Sequence, residues 1–477
     1  MNADYTTETV HHERVKSGVI ETVVDGKKTR INMQQLRSRV PAHCFRPSIL
    51  YSLGWVLHDS VIYLALLATA LYLKERVVVA GGGDTARILL CYFVFPFLAG
   101  LPLTGLWVLA HECGHGAFST SSFLSNTVGL VLHSALMNPY FAWRSSHGRH
   151  HQFANNLKTD LNYVPPIRGE YQELFRGQID LDHMVEDAPF VVLLRIVFQQ
   201  LIGWPWYLIT HITAGPNSSP KKSRGWWDNS HFLPHSSLFR PSEFWNIVVS
   251  DLAISATAVV LYALGERYGM WTMVWTYLLP LMWVNHWIVM ITYLHHTSPV
   301  LPKYMPESWT YLRGALATVD RDPGPVMRYM FHHIVDLHVV HHLFPYALPT
   351  VLSSPPLCLS RSPLLFADDA RAGRRIPHYH AQEATNAIRP LLGDYYHVDK
   401  SSWWGALYVV FTQCQWVEAD VGKTAQAAVY GRSGTGDTDR PSTNDRINEV
   451  DREGIMWYRS GPMPLPATVM RSQPATS

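Results

Sequence analysis

The sequence predicts an all-α membrane protein with about four transmembrane helices in two hairpins, interfacial helices beside them, and a cytosolic helical cap that carries clustered histidines. Three observations lead there. Two pairs of long apolar runs are each joined by a short polar turn. Charged residues make up 16% of the chain and aromatic residues 12%, against roughly 25% charged in soluble domains, and aromatic rings are enriched at membrane interfaces. Finally, eight histidines fall into three clusters, HECGH, HGRHH and HVVHH, which this topology places on one face.

Ile49 to Leu73 is apolar apart from His58 and Asp59, and a charged, Gly-rich turn follows from Lys74 to Arg87 around Gly81, Gly82 and Gly83. Ile88 to Ala110 is apolar again. The second pair runs from Ile247 to Leu264, interrupted by Asp251, and from Trp271 to Leu294, with Glu266 and Arg267 between. Each run approaches or exceeds the roughly 20 residues that cross a bilayer core. Phe123–Tyr140 and Phe190–Thr210 are also apolar but carry polar interruptions, so they are expected to lie in the interface plane. Either one spanning would change the topology.

Two hairpins return the chain twice to its starting side. The first cluster begins where the second span ends, the second lies in the polar stretch beyond, and the third follows the fourth span. All three therefore share a face with both termini. Arg37, Arg39, Lys158, Arg168, Lys221, Lys222 and Arg224 lie on that face, which the positive-inside tendency makes cytosolic.

The remaining composition limits the alternatives. A formal net charge of +2 over 477 residues excludes a nucleic-acid binder that works through a strong positive field. Mean hydropathy is −0.02, the average of polar ends and apolar middle segments. Cys44, Cys91, Cys113, Cys358 and Cys414 are scattered without CxxC pairs, as expected for soluble parts in a reducing compartment. Residues 1–40 read as a polar tail without a signal-peptide core. Residues 41–425 form the membrane domain, and 426–477, rich in Gly, Ser, Thr, Pro, Asp and Arg from about Gly431, read as a disordered tail.

The clusters carry the chemistry. Neutral imidazole is the commonest metal ligand, and positions i, i+3 and i+4 share a helix face. His111 and His115, then His147, His150 and His151, then His338, His341 and His342, exceed what one zinc ion takes, about four ligands. The count suggests two metals. HECGH alone also matches HExxH, where two histidines bind zinc and the glutamate, here Glu112, is the base of a protease. That reading leaves the other two clusters unused. Lone histidines such as His133, His211 and His231 are expected to be ordinary packed residues. Imidazole suits zinc, copper, iron and nickel, and a site beside apolar spans suggests oxidation of a hydrocarbon by O2.

The segments HECGHGAFS, WRSSHGRHHQFANN with Lys158 and Asp160 beyond, ITYLHHTSPVLP, WTYLRGALATVDRD, HVVHHLFP and IPHYHAQEATNAIRPLLGDYYH resemble the membrane-bound fatty acyl desaturases, and most closely their fungal and plant oleate delta-12 branch, over most of residues 40–420. The resemblance implies two non-haem iron ions held by the eight cluster histidines, with His296 of YLHHT as a further ligand and His295 its neighbour. His332, in FHHI, is family-like without being a ligand. It also implies an acyl-lipid substrate such as oleoyl-phosphatidylcholine, O2, and electrons from a separate cytochrome b5 with its NADH-dependent reductase, in the endoplasmic reticulum membrane. Two hydrogens would leave adjacent methylenes to give a cis double bond. A delta-15 desaturase, hydroxylase, epoxygenase or acetylenase of the same fold is the alternative product class.

The resemblance breaks at 346–375. In the family, HHLFP leads almost directly to the segment written here IPHYH, whereas this chain inserts a run rich in Ser, Pro, Leu and Arg. The expectation is a translated intron; a genuine lid loop is the other reading.

Overall fold

Two long helices ending at the same place organise the molecule. The computed structural model describes residues 18–24, 27–79, 84–168, 189–345, 375–419 and 454–459. The N-terminal part is a hairpin, β1 (Ile20–Val24) and β2 (Lys27–Ile31), then a short helix α1 (Met33–Arg39) and a turn at Ala42–Phe45. Helix α2 (Ile49–Val79) follows, then α3 (Asp84–His115), which contains a π-turn at Leu90–Val94. Next come α4 (Ser122–Ala135), α5 (Tyr140–Phe153), α6 (Pro189–Thr210), α7 (Phe244–Tyr268) and α8 (Met270–His296), which has a π-turn at Val274–Leu278. The cap adds β3 (Pro302–Tyr304), α9 (Tyr311–Leu316), β4 (Val319–Arg321), α10 (Pro325–Met330), α11 (His338–Leu343), α12 (His378–Leu392), β5 (His397–Asp399), α13 (Trp403–Gln413), β6 (Trp416–Ala419) and β7 (Ile455–Arg459).

Helices α3 and α8 pack against each other at the centre, with more than half of their most apolar stretches buried, whereas α2 and α7 lie outside. Gly100 permits the close approach, because a Cβ there would lie 2.5 Å from Trp283 Cβ. Outward-facing Leu50, Leu64, Trp245, Leu252 and Val259 form an apolar exterior, a surface that in water would be a large exposed patch and in a bilayer is matched to lipid. Helix α3 stops because Gly116 takes the left-handed conformation at φ +68°, and the Gly116 and Ala117 amides close on the Cys113 and Glu112 carbonyls. His111 and His115 are thereby held in its last turns.

Among the described residues, five helices, α6 included, are long and apolar enough to cross a membrane. Convergence of the histidines fixes their parity. His115 ends α3 and His296 ends α8, and both belong to one cluster system, so the chain makes an even number of crossings between them. Helices α7 and α8 supply two. Helix α4, with 14 residues, rises only ~21 Å, short of the ~30 Å core. The stretch 169–188 is rich in Asp and Glu by sequence. Helix α6 therefore makes no lone crossing. Its C-terminal half is pinned at the level of the second histidine cluster, where Tyr207 donates to the Leu161 carbonyl and the His231 amide donates to that of Leu208.

Both terminal segments contribute structure where tails were expected. Asn32 and Gln35 form a reciprocal capping box on α1, and Ile20, Ile31, Leu36 and Phe45 pack with Val339, Val340 and Leu343 of α11 and with Ile388 of α12. Burial against the third cluster outweighs the polar composition of residues 18–40. Likewise Ile455–Arg459 pairs antiparallel with both β3 and β6, with Tyr304 opposite Ile455 and Val417 opposite Tyr458. Five residues of the expected 426–477 tail are thus a central strand. Residues 346–374 of the insertion, and the remainder of both tails, fall outside the described residues.

Candidate metal centre

All eight cluster histidines and His296 meet in the space bounded by the ends of α3 and α8, helix α5 and helix α11. They divide into two adjacent groups. In the first, one ring nitrogen each from His111, His115, His147, His151 and His341 lies within 4.8 Å of the others. The Nε2 atoms run in sequence: His111 to His115 is 3.2 Å, His115 to His147 3.1 Å, His147 to His151 3.0 Å and His151 to His341 3.1 Å. The second group holds His150, His296 and His342. His338 joins it through His296, the Nε2 atoms of His150 and His338 each lying 3.3 Å from that of His296. The groups touch where the His151 and His342 rings stack at 4.1 Å.

Hydrogen bonds alone do not satisfy these contacts. An imidazole Nε2 has one in-plane position, holding either a proton or a lone pair. His115, His147 and His151 each face two neighbours through that one atom. His342 has both ring nitrogens buried and unpartnered, the situation that calls for an ion or another group. A cation gathers such lone pairs: ligands at about 2.1 Å and right angles around one ion stand ~3.0 Å apart, close to the spacings observed. Burial, with neighbouring histidines adding to it, holds His147, His151, His338, His341 and His342 well below the usual imidazole range. They are neutral near pH 7, which is the ligating form. The residues fit two metal ions.

Surrounding groups fix the rings. The buried Asp160 carboxylate lies 2.6 Å from His150 Nδ1 through Oδ1, while its Oδ2 accepts the Asn155 amide at 2.6 Å. Burial pushes this carboxyl up, but His150, Lys303 and the Asn162 amide outweigh it and hold Asp160 below the ordinary carboxylate range. A carboxylate behind a ligating histidine sets its tautomer and raises its basicity. His338 Nδ1 lies 2.9 Å from the Ile334 carbonyl, and the Trp143 ring stacks on His147 at 4.3 Å. Lys303, fully buried, donates to Asn155 Oδ1 at 2.5 Å and to the His296 carbonyl at 2.9 Å, and burial pulls its ammonium down to about 8. Asp320 accepts the Val339 amide at 2.8 Å and also meets the Tyr396 hydroxyl, anchoring the start of α11.

The structure separates the two candidates in YLHHT. His295 Nδ1 and Nε2 lie 2.6 Å from the Ile291 carbonyl and 2.8 Å from the Val335 carbonyl, leaving no nitrogen for a metal, while His296 faces the second group. His332 is also away from the cluster, with Nε2 2.7 Å from Asp59 Oδ2. His133 and His231 are packed residues, bonded to Asn138 and Ser146 respectively. His211 is buried beside Tyr207 and His231. Glu112 turns to the His378 amide, which its Oε2 accepts at 3.3 Å, an arrangement that engages it away from the role a protease base needs. Asp160 and Lys303 went unassigned in the sequence. The one available signal was an acidic residue soon after HGRHH, and spacing alone gives it no partner.

Comparison with known proteins agrees with this geometry. The fatty acid desaturase family model matches residues 88–403. An oleate hydroxylase of Claviceps purpurea is 36% identical over 81% of this chain and 77% of its own length. A delta(12) fatty acid desaturase of Mortierella isabellina is 36% identical over 81% and 88%, and a delta(12)-fatty-acid desaturase of Arabidopsis thaliana 35% over 91% and 93%. The family match spans all nine clustered histidines, and this chain belongs to the fatty acid desaturase family, membrane oxidoreductases that act on acyl lipids with O2.

Proposed function

We propose that this chain is an acyl-lipid delta-12 desaturase of the endoplasmic reticulum, converting oleoyl to linoleoyl chains with its histidine face in the cytosol. The observation that carries the reading is the pair of adjacent, buried imidazole groups at the ends of two membrane helices. Relatives named for delta-12 desaturation support this regiochemistry. In the balanced reaction, two vicinal methylene hydrogens, O2, two electrons and two protons give a cis double bond and two waters. The electrons are proposed to come from a separate cytochrome b5 and its NADH-dependent reductase, and the acyl carrier to be a phospholipid such as phosphatidylcholine.

His111, His115, His147, His151 and His341 would hold one iron, and His150, His296, His338 and His342 the other. Two ferrous ions supply the O2-activating power that no side chain has. The protein's part is geometric. Asp160 and the Ile334 carbonyl orient His150 and His338. Trp107 and Trp143 cover the His111 and His147 side with apolar surface, excluding water where a reactive oxidant would otherwise be quenched. The parallel ends of α3 and α8 bring an acyl chain in the bilayer within reach of both groups.

A second reading, hydroxylation of oleoyl chains, is favoured by the oleate hydroxylase at 36% identity, level with the desaturase relatives. The two reactions share removal of a first hydrogen and differ in whether a second follows. Expression in a yeast that lacks linoleate, followed by fatty acid analysis, decides between them. Linoleate in the wild type and none in a His341→Ala control supports delta-12 desaturation. A hydroxy acid as the main product replaces it.

A further inference from the structure

A second set of metal-ligating side chains lies away from the nine clustered histidines. The turn Ala42–Phe45, just before α2, presents His43 and Cys44, and α12 presents His380 and Glu383. One donor atom from each of the four lies within 4.8 Å of the other three. His43 Nε2 stands 2.8 Å from Glu383 Oε2 and 3.7 Å from Cys44 Sγ. The His43 and His380 rings meet edge to face, 5.4 Å between centroids.

These spacings suit one small cation. Zinc takes nitrogen and oxygen ligands at about 2.0–2.2 Å and sulfur at about 2.3 Å in a tetrahedron, which sets neighbouring donors ~3.3–3.6 Å apart. The His43–Cys44 separation is already near that value, and the His43–Glu383 pair opens by about half an ångström to admit the ion. One sulfur, two imidazoles and one carboxylate match a borderline-soft metal and not calcium or magnesium, which take oxygen ligands. His43 and Glu383 are about half exposed, with side-chain exposures of 56% and 49%, while Cys44 is buried beneath them. An ion enters from solvent and meets the sulfur last.

An independent contact fixes the two elements in place. The Ser48 amide donates to the Tyr379 hydroxyl at 2.7 Å, and the Tyr51 and Tyr379 rings meet at 4.8 Å. The ligands thus come from segments already registered against each other, so little ordering entropy opposes binding. Helix α12 also packs on α11, which carries the third histidine cluster.

We propose that His43, Cys44, His380 and Glu383 form a four-ligand zinc site that staples the entry of the first membrane helix to α12 and so braces the outer side of the third histidine cluster. Binding releases the thiol proton to solvent, leaves zinc as Zn2+ throughout and involves no oxidant. The ion fills all four positions with protein ligands and is structural.

Metal analysis of the full-length protein in detergent tests this independently of catalysis. Wild type is expected to retain one equivalent of zinc that both Cys44→Ser and His380→Ala lose, with iron unchanged in all three. After mild chelation, reloading with cobalt alone should give a thiolate-to-metal absorption band in wild type and none in Cys44→Ser. Added zinc should raise the thermal midpoint of wild type and leave that of Cys44→Ser where it was. His380 is only part-buried, so its variant keeps the test usable if Cys44→Ser folds poorly. Equal zinc in wild type and His380→Ala, or a cobalt band that survives in Cys44→Ser, overturns the proposal. Failure of the desaturase reading would show instead as absent iron and absent product, with this zinc untouched.

Discussion

Replacing Asp160 by Asn tests whether the second group of histidines is tuned from behind. Three donors converge on this buried carboxylate: His150 Nδ1 at 2.6 Å and the Asn162 amide at 3.0 Å on Oδ1, and the Asn155 amide at 2.6 Å on Oδ2. An amide in its place offers one acceptor oxygen and turns its NH2 group toward a third donor. The charge-assisted bond to His150 is worth about 1.5–3 kcal/mol, and loss of a carboxylate behind a ligating histidine costs roughly 10–100-fold in metal affinity or activity. The two estimates agree, since 10–100-fold is about 1.4–2.8 kcal/mol. Asp160→Asn is therefore expected to insert in the membrane, lose iron 10–100-fold more readily during ferrous titration, and make correspondingly less product. Iron affinity and product within twofold of wild type, with only thermal stability reduced, would refute the reasoning and make Asp160 a fold-holding residue alone.

Three further outcomes follow from the same geometry. His296→Gln should lose about half the bound iron, because a ligand of the second group is gone, whereas His295→Gln should keep its metal and lose stability by about 1–3 kcal/mol through the lost hydrogen bond from its ring to a buried backbone carbonyl; iron analysis beside a melting curve distinguishes them. Gly105→Ala places a Cβ 2.4 Å from Asp59 Oδ2 and 2.6 Å from the Met330 carbonyl, so thermal stability in detergent should fall by roughly 1–3 kcal/mol. We propose that 346–375 is translated intron: the mature transcript should omit it, and a chain lacking residues 346–375 should express with full iron content. A transcript that encodes the segment would refute the intron reading.

Much of the site was legible because histidine spacing is a local property. Rings at i, i+3 and i+4 share a face whatever the fold, so HECGH, HGRHH and HVVHH read as candidate ligand sets, and hairpin parity put them on one side. The grouping was not legible. His150 and His151 are neighbours in sequence but face different groups, because successive residues on a helix point about 100° apart. His295 and His296 diverge for the same reason, and only the Val335 carbonyl, contributed from beyond α10, shows which one is taken.

The expectations that changed did so where tertiary burial overrode composition. Residues 18–40 look like a solvated tail because half of each element is polar, yet Ile20, Ile31 and Leu36 point one way, into a surface that α11 and α12 create. Ile455–Arg459 lies in a stretch of low apolar content, and a short strand needs only a partner edge; β3 and β6 provide two. Helix α6 shows the converse. Its apolar length alone would count it as a span, and the histidines forbid an isolated crossing there, since His115 and His296 must end on the same side. Histidines that converge from both helix ends constrain membrane topology more tightly than hydropathy does, because one misplaced crossing would separate them by the thickness of the bilayer, about 30 Å.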